Sequence, residues 1–176
     1  MALNFGETIE GIAFKVLDER AIRASAGIMF LLGLFASING FILQKYAVIP
    51  YISGFLAINF LIGIFVNPNY APTYFLGKLI VRNQTPIYIG AIQKRFAWSL
   101  GLLLSAAIFG LSLLLLTDST MFDKVCFLCI TCLVLLFSEA SFGICIGCKI
   151  YQLFLKMGIL KAPAVQPNCM GDACDV

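Results

Sequence analysis

The stretch "CFLCITCLVLLFSEASFGICIGC", residues 126–148, decides how the whole chain is read. It is apolar and long enough to cross a hydrocarbon core, which takes about 20 residues of helix. Yet it holds five cysteines and a glutamate. Outward from it, three more stretches have the same length and character: 24–43, 48–66 and 96–116, with the fourth taken as 125–148. Of 176 residues 61% are hydrophobic and 12% are charged. A soluble domain carries roughly a quarter charged residues to solvate its surface. The fold expected is therefore all-α: a polytopic four-transmembrane-helix bundle with lipid as its solvent.

The connections between spans are uneven. "QKYA" and "TDSTMFDK" are short and predict antiparallel neighbours. The middle connection, 67–95, is longer, and within it "APTYFLGKLIVR" opens with Pro72, a good first helical residue. Phe75, Leu76, Leu79 and Ile80 recur at helical spacing beside Lys78 and Arg82, which predicts an amphipathic helix at the membrane surface. Residues 6–22 predict a second surface helix, with Ile9, Ile12, Ala13 and Val16 on one side. Their start lacks the basic and small-residue pattern of a cleaved signal peptide. Ten lysines and arginines lie before span one, in the middle connection or after span four, against Lys45 and Lys124 in the hairpins. By the positive-inside rule both termini face the cytoplasm. The net charge of +3, with no basic stripe, gives no footprint for nucleic acid. Residues 1–161 form one membrane domain, and 162–176 a mobile cytoplasmic tail containing Cys169 and Cys174.

Small residues four apart (Gly33 and Ser37, Ala36 and Gly40, Ala106 and Gly110, Gly143 and Gly147) predict close helix contacts in lipid. Glu139 is a candidate functional residue because carboxylates are costly within a span. Its expected partners are Asn59, Ser138 and Ser141, and it either hydrogen-bonds across helices or carries a proton. Asn39 is read as interhelical glue.

The cysteines carry the chemistry. The chain has no histidine, which removes the commonest metal ligand and proton shuttle. Residues three apart share a helix face, so the thiols of Cys126 and Cys129, and of Cys145 and Cys148, can meet. A pair that opens a helix also gains thiolate stabilisation from backbone N–H groups. On a single rod from residue 125, Cys126 and Cys129 meet that condition, while Cys145 and Cys148 come late, where the dipole disfavours thiolate. On that rod Cys132 and Cys145 are about 20 Å apart. That is too far for direct exchange, so a small sulfur compound or quinone would have to carry between them. The tail dithiol Cys169 and Cys174 can reach Cys145 and Cys148 on a flexible tether of about 25 Å. The same four thiols approximate a ligand set for a soft metal ion. Packing as small hydrophobes stands beside each of these readings.

Two motifs resemble a known family. "SFGICIGCKIYQLF" contains Phe142, Gly143, Cys145, Gly147, Cys148 and Tyr151, and "KRFAWSLG" contains Arg95, Phe96, Ala97 and Gly101. Residues 18–23 and Asn67-Pro68 match more weakly. Together they resemble a bacterial integral-membrane family catalogued as domain of unknown function 4395. The resemblance covers residues 18–155, and members commonly carry asparagine where Glu139 stands. It implies a four-span bundle in the bacterial inner membrane, and its gene neighbours imply a thioredoxin-like or rhodanese-like partner. The function expected is thiol-redox or sulfur handling by membrane-embedded cysteine pairs. Alternatives are a permease for a soft metal ion or small sulfur compound, a quinone-linked thiol oxidoreductase, and a non-catalytic membrane assembly subunit. A homo-oligomer would suit a transporter.

Overall fold

A computed structural model describes residues 5–9 and 14–159. Four helices are long and apolar enough to cross a membrane: α1 (Glu19–Ser37), α2 (Val48–Phe65), α4 (Ala91–Leu115) and α5 (Phe122–Phe142). Among the described residues two shorter helices join them, α3 (Pro72–Val81) and α6 (Ile146–Lys156). The all-α, four-span reading holds. α1 packs on α3 and α5, α2 on α4, and α4 on α5 and α6.

The termini of these elements follow local chemistry. Asp18 caps α1, its Oδ1 accepting the Arg20 N–H at 3.0 Å. α1 widens into a π-helical turn at Ile38–Ile42. Asn67 caps a 3-10 turn, accepting from the Asn69 N–H at 3.0 Å, and Pro72 opens α3.

The N-terminal surface helix is corrected at its described residues. Val16–Asp18 form a strand, β1, paired antiparallel with β2 (Tyr88–Gly90), and Glu7 bridges to Val16. The extended backbone of Asp18, which its capping role requires, stops helix α1 from running back through Val16.

The surface helix α3 has the expected two-sidedness. Phe75, Leu76, Leu79 and Ile80 are exposed, as lipid-facing residues would be. Thr73, Tyr74, Gly77 and Val81 are buried, and α3 packs on α1. A Cβ at Gly77 would lie 2.5 Å from the Ala21 carbonyl oxygen and 3.0 Å from the Ser25 nitrogen, so only glycine permits this crossing. Beside it runs a buried polar chain. Asn59 Oδ1 accepts from the Thr73 N–H and hydroxyl, both at 3.0 Å, and its Nδ2 donates to Met29 Sδ at 3.6 Å. Ser25 Oγ lies 2.8 Å from Thr73 Oγ1; with the Thr73 proton on Asn59, Ser25 donates. Asn59 therefore ties α1, α2 and α3 together and is not a partner of Glu139. Tyr74 stacks edge-on against Trp98, and burial pushes its phenol well above the usual range. Asn39 bonds the Phe35 carbonyl of its own helix at 2.8 Å rather than bridging to a neighbour.

Of the small-residue pairs, Gly33 lies against Leu133, Gly40 against Ile49 and Gly147 against Ala97, whereas Gly110 faces open space. The tail cysteines Cys169 and Cys174 lie outside the described residues.

Candidate functional site

The fourth span is not the single rod of 125–148. α5 ends at Phe142, and Gly143 follows with φ +68°, the left-handed conformation that glycine adopts without steric penalty. Its N–H bonds the Glu139 carbonyl at 3.1 Å and the next N–H, of Ile144, bonds Ser138 at 3.2 Å, which closes the helix end. Arg23 of α1 caps the same end. Its Nη2 donates to the Ser141 carbonyl at 2.9 Å and its Nε to Ala140 at 3.4 Å. A cation over the negative end of α5 also suits the helix dipole. Length makes the break reasonable: from Phe122 to Phe142 the helix already rises about 30 Å, a whole hydrocarbon core.

The chain then restarts as α6, and the inner cysteines begin it. Cys145 is the N-cap residue, extended at φ −87° and ψ 95°, with its Sγ accepting the Cys148 N–H at 3.2 Å. The two sulfurs are bonded to each other, with Cα atoms 5.2 Å apart, a separation a disulfide accepts without backbone movement. This reverses the expected electrostatics. Cys145 and Cys148 open a helix and do not close one, so the backbone N–H groups of α6 favour a thiolate at Cys145 when the pair is reduced. Both residues are nearly covered, at 8% and 7% exposure, while Phe142 and Ile144 beside them are exposed.

The motif residues fit this junction one by one. A Cβ at Gly147 would lie 2.7 Å from Ala97 Cβ and 2.8 Å from its Cα, so α6 crosses α4 backbone to backbone. Phe96 packs on Tyr151 with ring centroids 5.4 Å apart and on Phe154 at 6.0 Å. A Cβ at Gly101 would meet the Phe60 ring at 2.8 Å.

Glu139 has a different partner from those expected. It forms an ion pair with Lys94, whose side chain is 7% exposed against 20% for the carboxylate. Lys94 reads as a loop charge before a span starting at residue 96, but α4 begins at Ala91 and carries the ammonium inside. Ser138 instead returns its hydroxyl to the Val134 carbonyl at 2.8 Å, and Ser141 offers its carbonyl to Arg23. Glu139 borders a cavity of about 120 Å³ between α1, α2, α4, α5 and α6. Glu139, Trp98, Cys132, Ile146 and Gly147 are in its wall.

The outer cysteines sit elsewhere. A 3-10 turn at Ser119–Met121 precedes α5, which starts at Phe122, so Cys126 is already a turn inside the helix and misses the expected N-terminal position. Cys126, Cys129 and Cys132 are free thiols. Cys129 is buried with Ile49, Ile108 and Val125, and together with Cys132 it faces a void of about 30 Å³. Among the described residues no cluster of three or more cysteine or carboxylate side chains could hold a metal ion.

Reasoning from sequence missed Lys94 and Arg23 as members of this junction. A lone acid in one span and a Lys-Arg pair at the mouth of another were the available signals, at matching depth. The bundle and its interfacial junction define a polytopic helical membrane protein. Within that class, the chain belongs to the family described as Domain of unknown function (DUF4395), whose profile matches residues 17–156. No curated protein and no solved structure matches the chain.

Proposed function

We propose that this is a thiol–disulfide exchange protein of the bacterial inner membrane, with Cys145 and Cys148 as its redox pair. The observation that carries the reading is the placement of the pair: Cys145 caps α6, accepts the Cys148 N–H, and lies in bonding contact with the Cys148 sulfur. In the reduced state Cys145 is the nucleophile, because its thiolate is the one held by helix N–H groups. It attacks a partner disulfide to give a mixed disulfide. Cys148, one turn on, attacks the Cys145 sulfur, releases the partner as a dithiol and restores the internal bond.

Sidedness follows from the bundle end on which the pair lies. That end also carries Lys15, Arg20, Arg23, Lys78, Arg82 and Lys149, which by the positive-inside rule is cytoplasmic. A cytoplasmic partner of thioredoxin or rhodanese type suits that location. Both sulfurs are nearly covered, and the exposed Phe142 and Ile144 beside them offer a partner an apolar docking point. The test is trapping in native membranes. Cys148→Ser should accumulate a mixed disulfide through Cys145, and Cys145→Ser should accumulate none. Equal trapping by the Cys145→Ser/Cys148→Ser double variant would remove the pair from the mechanism.

A further inference from the structure

We infer that residues 160–176 of this same chain are the reductant of the Cys145–Cys148 pair, delivering two electrons through the dithiol Cys169 and Cys174. This rests on the exchange reading above, which leaves the pair oxidised after each turnover and in need of those electrons.

Three features favour this occupant over any other. The first is sidedness. α6 has 11 residues and rises about 16 Å, too little to cross a hydrocarbon core. The chain after α6 therefore leaves on the side of the bundle where the pair lies. The second is distance. Gly158, at φ +71°, closes α6, and the Ile159 N–H is held by the Phe154 carbonyl at 3.0 Å. Phe154 is nine residues past Cys145, so Ile159 stands about 15–20 Å from that residue by helical rise. Ten residues then separate Ile159 from Cys169, and fifteen separate it from Cys174. A random chain of ten residues has an r.m.s. span of about 17 Å, and one of fifteen about 21 Å. Effective concentration is greatest when tether and span match, and for short tethers it reaches the millimolar range. The third is charge. Residues 162–176 contain Asp172 and Asp175 and no lysine or arginine, and Asp172 lies between the two cysteines. Lys149, next to Cys148, and Lys156, two turns on along the same face of α6, are both exposed. Opposite charges favour the return of the segment along α6, an attraction that salt weakens.

The step balances within the chain. One tail sulfur attacks Cys145 and expels Cys148, the same mixed-disulfide position used toward the partner. The second tail sulfur attacks the first and expels Cys145. The Cys145–Cys148 bond and two tail S–H bonds break. The Cys169–Cys174 bond and S–H bonds at Cys145 and Cys148 form. A low-molecular-weight thiol, RSH, then reduces the tail and leaves as RSSR. Electrons thus run from small thiol to tail, from tail to inner pair, and from inner pair to the partner disulfide.

The full chain, oxidised in lipid nanodiscs, is mixed with glutathione, and timed alkylation with peptide mass spectrometry follows each cysteine. Tail thiols should appear before inner thiols. In Cys169→Ser/Cys174→Ser the inner pair should be reduced roughly tenfold or more slowly. Inner reduction at the parent's rate in that variant overturns the relay. In a second arm, Cys148→Ser/Cys174→Ser is equilibrated in a glutathione redox buffer. A Cys145–Cys169 disulfide within one molecule is expected. Absence of that bond overturns the relay, as does a bond found only between isotopically labelled and unlabelled copies mixed in detergent. A relay that fails while Cys148→Ser still traps a partner sinks the tail's role alone. A working relay with no partner trapped sinks the protein-partner reading and leaves this one standing.

Discussion

The same cysteine spacing stands at both ends of one segment, at Cys126, Cys129 and Cys132 and again at Cys145 and Cys148, and the two ends live in different chemistry. The first lies a turn inside α5, its thiols free and one of them packed against Ile49, Ile108 and Val125. The second caps α6, its sulfurs joined and the Cys148 N–H donating to the Cys145 sulfur. Spacing brings two cysteines to one helix face. Where the helix begins decides whether they pack inside it or lie bonded to each other at its first turn. Gly143 makes that difference, because it ends one helix early enough for the next to start at the cysteines.

The comparison breaks most sharply at the sulfurs themselves. Cys145→Ser should abolish mixed-disulfide formation, whereas Cys126→Ser and Cys129→Ser should leave it within about twofold, as packing cysteines behave. Non-reducing gels of membranes expressing each variant read this directly. Loss of exchange in the outer variants would show that the two pairs act together.

The ion pair behind the inner cysteines gives the next largest effect. Lys94→Met leaves Glu139 in the bundle without its cation and should cost about 3–5 kcal/mol, measured by unfolding in mixed micelles. Lys94→Met combined with Glu139→Leu should recover most of that loss, since the unpaired charge is gone. A double variant no better than the single would mean that the pair positions the junction by more than charge.

Smaller again is the turn. Gly143→Ala must hold a Cβ at φ +68°, costing about 1–2 kcal/mol. A matched substitution at Gly110, which faces open space within a helix, should be neutral or slightly stabilising. If both behave alike, the left-handed turn is not what separates the two cysteine pairs.

The smallest effect lies at the same bundle end but away from the junction. Glu7 accepts from Lys78 at 2.8 Å and from Asn69 at 2.9 Å. Chiefly the Lys78 bond, and after it the Asn69 bond, outweigh partial burial and hold the carboxyl below its ordinary value of 4.5. A depressed carboxylate stabilises the fold at pH above that value and loses its contribution as pH falls from there through the lowered one. Unfolding temperatures followed from pH 6 down to about 3 should therefore drop less steeply in Glu7→Gln than in the parent. The exposed position of both side chains keeps this modest.

The four spans and the surface helix α3 were legible because hydropathy and period are properties of the segment itself. The break after Phe142 was not, because an apolar run conceals a helix end when glycine and cysteine continue it without a polar residue. Counting rise instead of hydropathy would have found it: α5 uses up the bilayer before Cys145. Lys94 was hidden by the converse error. A charge beside an apolar run reads as outside it, although α4 begins five residues before Phe96. The partners of Asn59 and Glu139 could be exchanged on paper, because composition alone gives depth and not azimuth.

The Asn59–Thr73 contact bears on how the protein is made. Asn59 enters the bilayer during synthesis fourteen residues before Thr73 emerges, carrying an amide that α2 cannot satisfy alone. Until Thr73 packs on it, that amide oxygen lacks both of the donors it has in the finished bundle.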